Sequence, residues 1–397
     1  MPIKTENQTQ DNPQTIPLDN PTARFIYWMM ERHRIHLKRQ AGLPKPWTTD
    51  KVLQSYFFTN PFRENDKTTA WYRENIRIPY TTPPHYNPSP PNKFPSAPSL
   101  SLSRVLFATI AFRWFNFIPT GQLLLGRALS NLSSSPKDIK AFAANRNNLL
   151  YHWDMIRAIN RLTIHQQYGH KIFTGAYIIK SPDRRNIPFT LGYTDGPVGE
   201  QRLHFPDNRI VPKRSSKGVY DKIEAICWAV NNVWLDLTAL TNWFTNTQRS
   251  LEEAHQKLCC YPYLGDFMAY EIVSDLRFTP LLDQAPDINT WANMGPGATR
   301  GLRRLRGLPA EGPLPRNYKE LMLQLWDRAK LDFRVMAGPP IPSVSSPKEP
   351  RSSWIKSGLY PYPNIEMREI EHSLCEFDKY ERARLQDGQL KRLYQGT

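Results

Sequence analysis

Cysteine is scarce: Cys227, Cys259, Cys260 and Cys375 are the four in 397 residues. Adjacent Cys259 and Cys260 cannot easily bridge each other, and no CxxC or zinc-type Cys/His spacing occurs. The cysteine pattern therefore suggests neither a disulfide framework nor a zinc site, and a reduced, cytosolic setting fits. Long apolar runs are missing too. The most apolar stretch, residues 100–126, is interrupted by Arg104 and Arg113, which leaves it too short and too charged to span a bilayer. The opening MPIKTENQTQDNPQTIPLDNP lacks the apolar core of a signal peptide and reads as a polar tail over residues 1–20. A soluble protein is expected.

Familiar site motifs are also absent. There is no GxxxxGK[ST] phosphate loop, no GxGxxG dinucleotide turn, no GxSxG elbow and no HExxH. The last deficit is in acidic residues: 36 Asp and Glu face 52 Lys and Arg, giving a formal charge of +16. With a pI near 9.6, that excess points to a polyanionic partner, because Lys and Arg at a phosphate surface release condensed counterions. A membrane surface, an acidic protein and a merely basic exterior are the rival explanations.

What is present suffices for a fold. Hydrophobic residues make up 40% and aromatics 12% of the 46.2 kDa chain, enough for a substantial core. Periodicity predicts a mainly α protein: a flexible tail over 1–20, then one large helical domain over 21–397. Asn20-Pro21 caps a helix bearing Phe25, Trp28, Met29, Arg32 and Ile35 on one stripe. Arg32 on that stripe needs an anionic partner, or a stem that packs while its head reaches water. A short helix is expected near 49–58, followed by the polar segment TNPFRENDKTTAWYREN. Prolines crowd 79–98 and rule out regular structure there. Helices are expected at 103–115, 136–144 and 149–165, and a small β-hairpin insertion at 172–214, where IFTGAYII and IPFTLGY alternate. DKIEAICWAVNNVWLDLTAL reads as one core helix. FMAYEIVSDL, YKELMLQLWDRAKLDF and IEMREIEHSLCEFDKYERAR read as three more, the last preceded by a Pro/Ser-rich loop over 338–363.

Four constellations carry candidate chemistry. Gly295-Pro296-Gly297-Ala298 opens a helix followed by Arg300, Arg303, Arg304 and Arg306. Exposed backbone N–H groups and a helix dipole favour an anion there, and the arginines add phosphate contacts. Gly295, Gly297, Arg303, Arg304 and Arg306 are therefore candidates for DNA binding, the alternative being a tight turn with a solvated basic face. Pro262–Ala269 looks like a second hairpin, with Asp283 and Asp287 following about a helix length later. Helix-hairpin-helix DNA glycosylases place a catalytic aspartate similarly; a helix cap is the other reading of each. On the last helix Glu371, Cys375, Asp378 and Arg382 form a stripe beside the apolar face Met367, Ile370, Leu374 and Phe377, with Glu376, Lys379 and Tyr380 off it. A carboxylate on such an edge can serve as a general base, although an ordinary salt-bridged helix looks the same. Cys375 has no assignable histidine partner as a nucleophile. Finally, Asn60, Arg63, Glu64, Asp66, Lys67 and Thr69 crowd one segment, either as a ligand-organising loop or as a solvated one.

The string FIYWMMERHRIHLKRQAGLPKPWTTDKVLQSYFFTNPFRENDKTTAWY resembles the opening block of a phage-associated helical family, the α-glutamyl/putrescinyl thymine pyrophosphorylases, which includes amino-acid:DNA transferases. The same helical domain accompanies 5-hydroxymethyluracil DNA kinases. The blocks IFTGAYII, FMAYEIVSDLR, WANMGPGATRGLRRL and SLCEFDKYERAR follow in the same order, so the resemblance covers most of the chain from Thr22 to Arg384. It implies a helix-hairpin-helix glycosylase-like fold and a phage enzyme acting on double-stranded DNA. A DNA kinase would first pyrophosphorylate 5-hydroxymethyluracil, and this chain would then displace pyrophosphate with an amine or amino acid. The resemblance makes Arg32, Arg63 and Arg300 candidates for the departing charge. Asn60, Asp66, Lys379 and Arg382 are further substrate-binding candidates, and Asp378, Glu376 or Asp287 is the candidate base. No cofactor is required, though Mg²⁺ can accompany pyrophosphate. No membrane is involved, and the setting would be the cytoplasm of the infected bacterial host. The competing expectations are a glycosylase releasing a modified base and a non-catalytic DNA-binding protein.

Overall fold

In a computed structural model, the chain is described over residues 20–81, 98–126, 147–175, 192–195, 201–204, 210–211, 222–337 and 362–387. The described residues are mainly helical. In chain order the helices are α1 (Pro21–Gln40), α2 (Lys51–Ser55), α3 (Lys67–Tyr72), α4 (Ile78–Thr81), α5 (Pro98–Phe115), α6 (Ile118–Leu124) and α7 (Met155–Gln167). They continue as α8 (Lys222–Leu235), α9 (Leu237–Thr245), α10 (Leu251–Cys259), α11 (Asp266–Leu276), α12 (Pro296–Leu305), α13 (Tyr318–Ala337) and α14 (Met367–Leu385). Strands β1 (Gly192–Asp195), β2 (Gln201–His204) and β3 (Ile210–Val211) pair antiparallel in that order, with Tyr193 opposite Leu203 and His204 opposite Ile210. The helix expected at 136–144 and most of the proline-rich segment lie outside the described residues.

Within the stretch from residue 21 onward that the sequence reads as one domain, the described residues pack into two compact units. Residues up to Phe62 and from Met294 onward form the first; Arg63–Asn293 form the second.

In the first unit, local signals place the ends. The Asn20 side chain accepts from the N–H of Thr22 and of Ala23 at 3.0 and 3.1 Å, with Pro21 in the first turn, so α1 starts where the sequence puts it. Asp50 caps α2 in the same way, accepting from Val52 and Leu53. The helix expected to reach residue 58 stops at Ser55, because Tyr56 turns extended (φ −120°, ψ 146°). α14 buries Met367, Ile370, Leu374 and Phe377, the face read from the sequence, and Phe25 of α1 meets Phe377 edge-on at 5.4 Å.

In the second unit, α5 is buried on all sides from Val105 to Phe115. Such a helix can hold a guanidinium only if it is paired. Arg113 is ion-paired with Asp275 of α11 and donates to Asn116 and to Thr69. The single helix expected at 221–240 is two, α8 and α9, broken at Asp236 (ψ 7°). The polar segment after residue 60 is also more regular than expected. A 3₁₀ turn at Arg63–Asn65 leads into α3, and a π turn at Arg73–Arg77 precedes α4. Regular structure thus reaches into the predicted proline stretch at both ends. Pro79 sits in the first turn of α4 and Pro98 opens α5, positions where a missing N–H costs little.

Candidate functional site

The extended segment Tyr56–Asn60 in the first unit is held by side chains from two helices. Arg32 of α1 donates from Nε to the Phe58 carbonyl at 2.9 Å. From α14, Lys379 donates to the Phe57 carbonyl, Glu376 accepts the Thr59 N–H at 3.1 Å, and His372 Nε2 lies 2.9 Å from the Thr59 hydroxyl. Asn60, 1% exposed, accepts the N–H of Phe62 at 2.9 Å. Arg32, Asn60, Glu376 and Lys379, picked out from distant parts of the sequence, therefore share one segment. Glu376 turns from the α14 stripe toward Thr59, and its carboxylate is 3.6 Å from the Lys379 ammonium.

That segment forms one wall of a cavity of about 340 Å³, within the size range of small-ligand sites. Leu53, Phe58 and Ile35 give it an apolar floor, Trp47, Tyr56 and Phe57 give it aromatic walls, and Arg32, Arg39 and Lys45 supply cations. Lys45 Nζ stands 5.3 Å from the centre of the Trp47 ring, in cation–π range. The indole is fixed by donation from Nε1 to the Leu43 carbonyl at 2.6 Å, and Lys38 donates to the Trp47 carbonyl. A cis Lys45–Pro46 bond shapes the loop. His36, just off this face, is held neutral. Burial first, then His33, Arg32 and Arg39, push it down to about 3. Aromatic walls beside cations suit a flat π ligand that carries negative charge. Of the cavity's residues, Arg32 and Ile35 lie on the helical stripe legible in the sequence, whereas Arg39, Lys45, Trp47, Tyr56 and Phe57 belong to no constellation read there. Their signal was the string KPW followed by YFF, aromatic and cationic residues clustered off any helical stripe.

A second cationic group lies where α12 crosses α14. Asp378, 1% exposed, accepts from Arg304 Nε at 2.8 Å and from Arg300 Nε at 3.1 Å, and Arg382 Nε lies 3.3 Å from the same carboxylate. Arg304 also donates to Asp387 at 2.9 Å. Both oxygens of Asp378 take guanidiniums, so this candidate base anchors three arginines. Arg300, Arg304 and Arg382 remain partly exposed around it. The helices approach closely because glycine faces the partner. A Cβ on Gly301 would strike the Leu374 carbonyl, and one on Gly297 would strike Cys375 Sγ. Gly297 is thus placed for helix packing. Cys375 is exposed at this seam, yet surrounding protein together with Glu371, Glu376 and Asp378 pushes its thiol up to about 12. A thiol so rarely ionised is a poor nucleophile at neutral pH.

The remaining residues take other places. Gly295 caps α12. Arg303 donates to the Pro309 and Pro313 carbonyls at 2.7 and 2.8 Å, holding the loop after α12, whereas Arg306 is exposed. The basic run read as one DNA surface therefore divides: Arg303 and Arg304 point into structure, Arg306 outward. In the second unit, Arg63 is ion-paired with Glu271, and Asp66 is the N-cap residue of α3. Asp287 accepts from the N–H of Leu251 and of Glu252 at 2.7 and 3.0 Å, capping α10. Its helix-cap reading is the one the geometry fits.

A family model described as the helical domain of 5-hmdU DNA kinase matches residues 20–84 and 95–390. The chain belongs to this family. A protein named 5-hmdU DNA kinase from Bacillus phage SP10 is 24% identical over 286 residues, covering 69% of this chain. The alignment takes in 34% of that kinase, so the chain spans about a third of its relative's length. No solved structure matches. The matched range contains the Tyr56–Asn60 segment, the aromatic cavity and the Asp378 cluster. Among the described residues, no helix is long and apolar enough to cross a membrane.

Proposed function

We propose that the chain is a phage DNA-modifying transferase. It would displace pyrophosphate from 5-(pyrophosphoryloxymethyl)uracil in DNA with an amine or amino acid, giving a hypermodified thymine. The relative is named for a kinase acting on 5-hmdU DNA, which supports a modified uracil in DNA as the substrate class.

The observation that carries the reading is the cavity, whose aromatic walls and cations match a uracil ring bearing an anionic leaving group. The base is extruded from the stack and held between Trp47, Tyr56 and Phe57. Arg32, Arg39 and Lys45 take the pyrophosphate, with Mg²⁺ as an optional companion of that anion. The C–O bond to the exocyclic methylene breaks and its electron pair leaves with pyrophosphate; the amine nitrogen then bonds to the methylene and gives up a proton. Glu376, which accepts the Thr59 N–H beside the wall segment, takes that proton. The Asp378 arginines and Arg306 attract the DNA backbone, and the turns at Pro262–Gly265 and Met294–Gly297 serve as hairpins of a helix-hairpin-helix fold. A DNA kinase supplies the substrate in the infected host's cytoplasm.

Incubating the protein with pyrophosphorylated 5-hydroxymethyluracil DNA and a panel of amines tests this directly. The expected result is pyrophosphate release with an amine adduct on the base. An abasic site would identify a glycosylase, and binding without chemistry a DNA-binding protein.

A further inference from the structure

In the second unit, α10 and α11 are joined by the turn Cys260–Gly265, in which Tyr263 adopts a left-handed conformation (φ 66°). His255 and Cys259, four residues apart, share a face of α10. The turn folds Asp266, the first residue of α11, back onto that face. Cys259 Sγ lies 3.8 Å from His255 Nε2 and 3.8 Å from Asp266 Oδ1. The ligand atoms of these three residues all fall within 4.8 Å of one another.

We propose that His255, Cys259 and Asp266 form a binding site for a borderline-soft divalent transition metal, zinc foremost. Tetrahedral zinc with sulfur at about 2.3 Å and nitrogen or oxygen at about 2.0–2.2 Å separates neighbouring ligand atoms by about 3.5 Å. The two 3.8 Å separations from Sγ close by a few tenths of an ångström, and the His255–Asp266 pair, within 4.8 Å, by at most about 1.3 Å. One thiolate, one imidazole and one carboxylate exclude the all-oxygen preference of magnesium and calcium.

The surroundings suit the role. His255 is buried, with its ring 5.5 Å from that of Trp291, so its position is fixed. Its Nε2 lies 2.9 Å from the Asp266 carbonyl, which also accepts from Asn293 Nδ2 at 3.3 Å. Metal binding takes the Nδ1–H tautomer, with the proton moved off Nε2 and its lone pair on the ion, and the carbonyl then keeps the Asn293 donor. Asp266 is exposed and Cys259 partly so, which gives the ion an entry path and leaves the fourth position to water. On binding, Sγ forms the metal–sulfur bond and its proton goes to solvent. The ion then clasps the end of α10 to the start of α11, a role independent of the proposed transfer chemistry.

The test is titration of the metal-free full-length chain with Co²⁺ as a spectroscopic probe, followed by displacement with Zn²⁺. One Co²⁺ per chain should bind, with a thiolate-to-cobalt charge-transfer band that zinc abolishes. Cys259→Ser should remove the band, His255→Gln and Asp266→Asn should each weaken binding at least about tenfold, and Cys260→Ser should change nothing. Absence of a band, or one that survives Cys259→Ser, overturns the site. A measurement on the unmodified chain guards against variants that fail to fold. Zinc should protect Cys259 from iodoacetamide, read by peptide mass spectrometry, and equal labelling with and without zinc would overturn the proposal.

Discussion

Arg304 of α12 donates from Nε to Asp378 of α14 at 2.8 Å, although the two residues are 74 positions apart in sequence. The contact joins the two helices of the glycine seam and orients three guanidiniums around one buried carboxylate. Asp378→Asn keeps the shape and removes the charge. Breaking a buried ion group of this kind costs about 3–5 kcal/mol. A drop of that order in urea-unfolding stability is expected, along with weaker DNA binding. A variant that loses transfer at full stability would return Asp378 to the role of base.

Gly301→Ala places a methyl group against the Leu374 carbonyl, and backbone cannot rotate away. Overpacking of this kind costs about 1–3 kcal/mol. Thermal unfolding should show a lowered Tm for Gly301→Ala, while Gly307→Ala loses stability for a different reason, its φ of 66° at the end of α12.

Trp47→Ala removes an aromatic wall of the cavity without touching the core of α1. If the modified base stacks there, KM for the DNA substrate should rise about tenfold or more, in line with about 1–3 kcal/mol per stacked base. Unchanged KM would move the base elsewhere.

Arg306 and Arg303 should behave oppositely. Arg306→Ala is expected to reduce the salt slope of DNA binding by about one unit and leave Tm alone. Arg303→Ala loses two carbonyl contacts of the loop after α12 and should lower Tm first.

Glu381 joins Arg24 of α1 to Arg384 within α14. Burial pushes its carboxyl up, but hydrogen bonds from Arg384 and Arg24 outweigh this and hold it below its ordinary value of 4.5. A carboxyl lowered in the folded state adds stability above its unfolded pKa and loses it as pH falls through the folded one. Glu381→Gln should therefore destabilise at pH 7, and the gap to wild type should narrow on acidification below about 4.5 in urea titrations.

Helix content and much of the core were legible from the chain alone. The 3.6-residue repeat of Met367, Ile370, Leu374 and Phe377, the Asn20-Pro21 start of α1 and the buried run of α5 follow from apolar spacing and capping, which are local properties. Local rules failed where long-range contacts decide. α2 stops early as Arg32, Lys379 and Glu376 draw residues 57–59 into an extended wall, and α3 forms in a polar string where Trp71 and Tyr72 pack on Phe112.

The basic excess, the mainly helical fold and the candidate residues of α14 were determined by sequence, because composition and periodicity do not depend on where the chain turns. Tertiary structure alone decided their tasks. It gave Asp378 three arginines, made Asp287 a helix cap, turned Gly297 and Gly301 into a packing seam, and brought His255, Cys259 and Asp266 together across a turn. A carboxylate's role depends on which charges and donors lie within a few ångströms of it, and that neighbourhood is set by packing between segments distant along the chain.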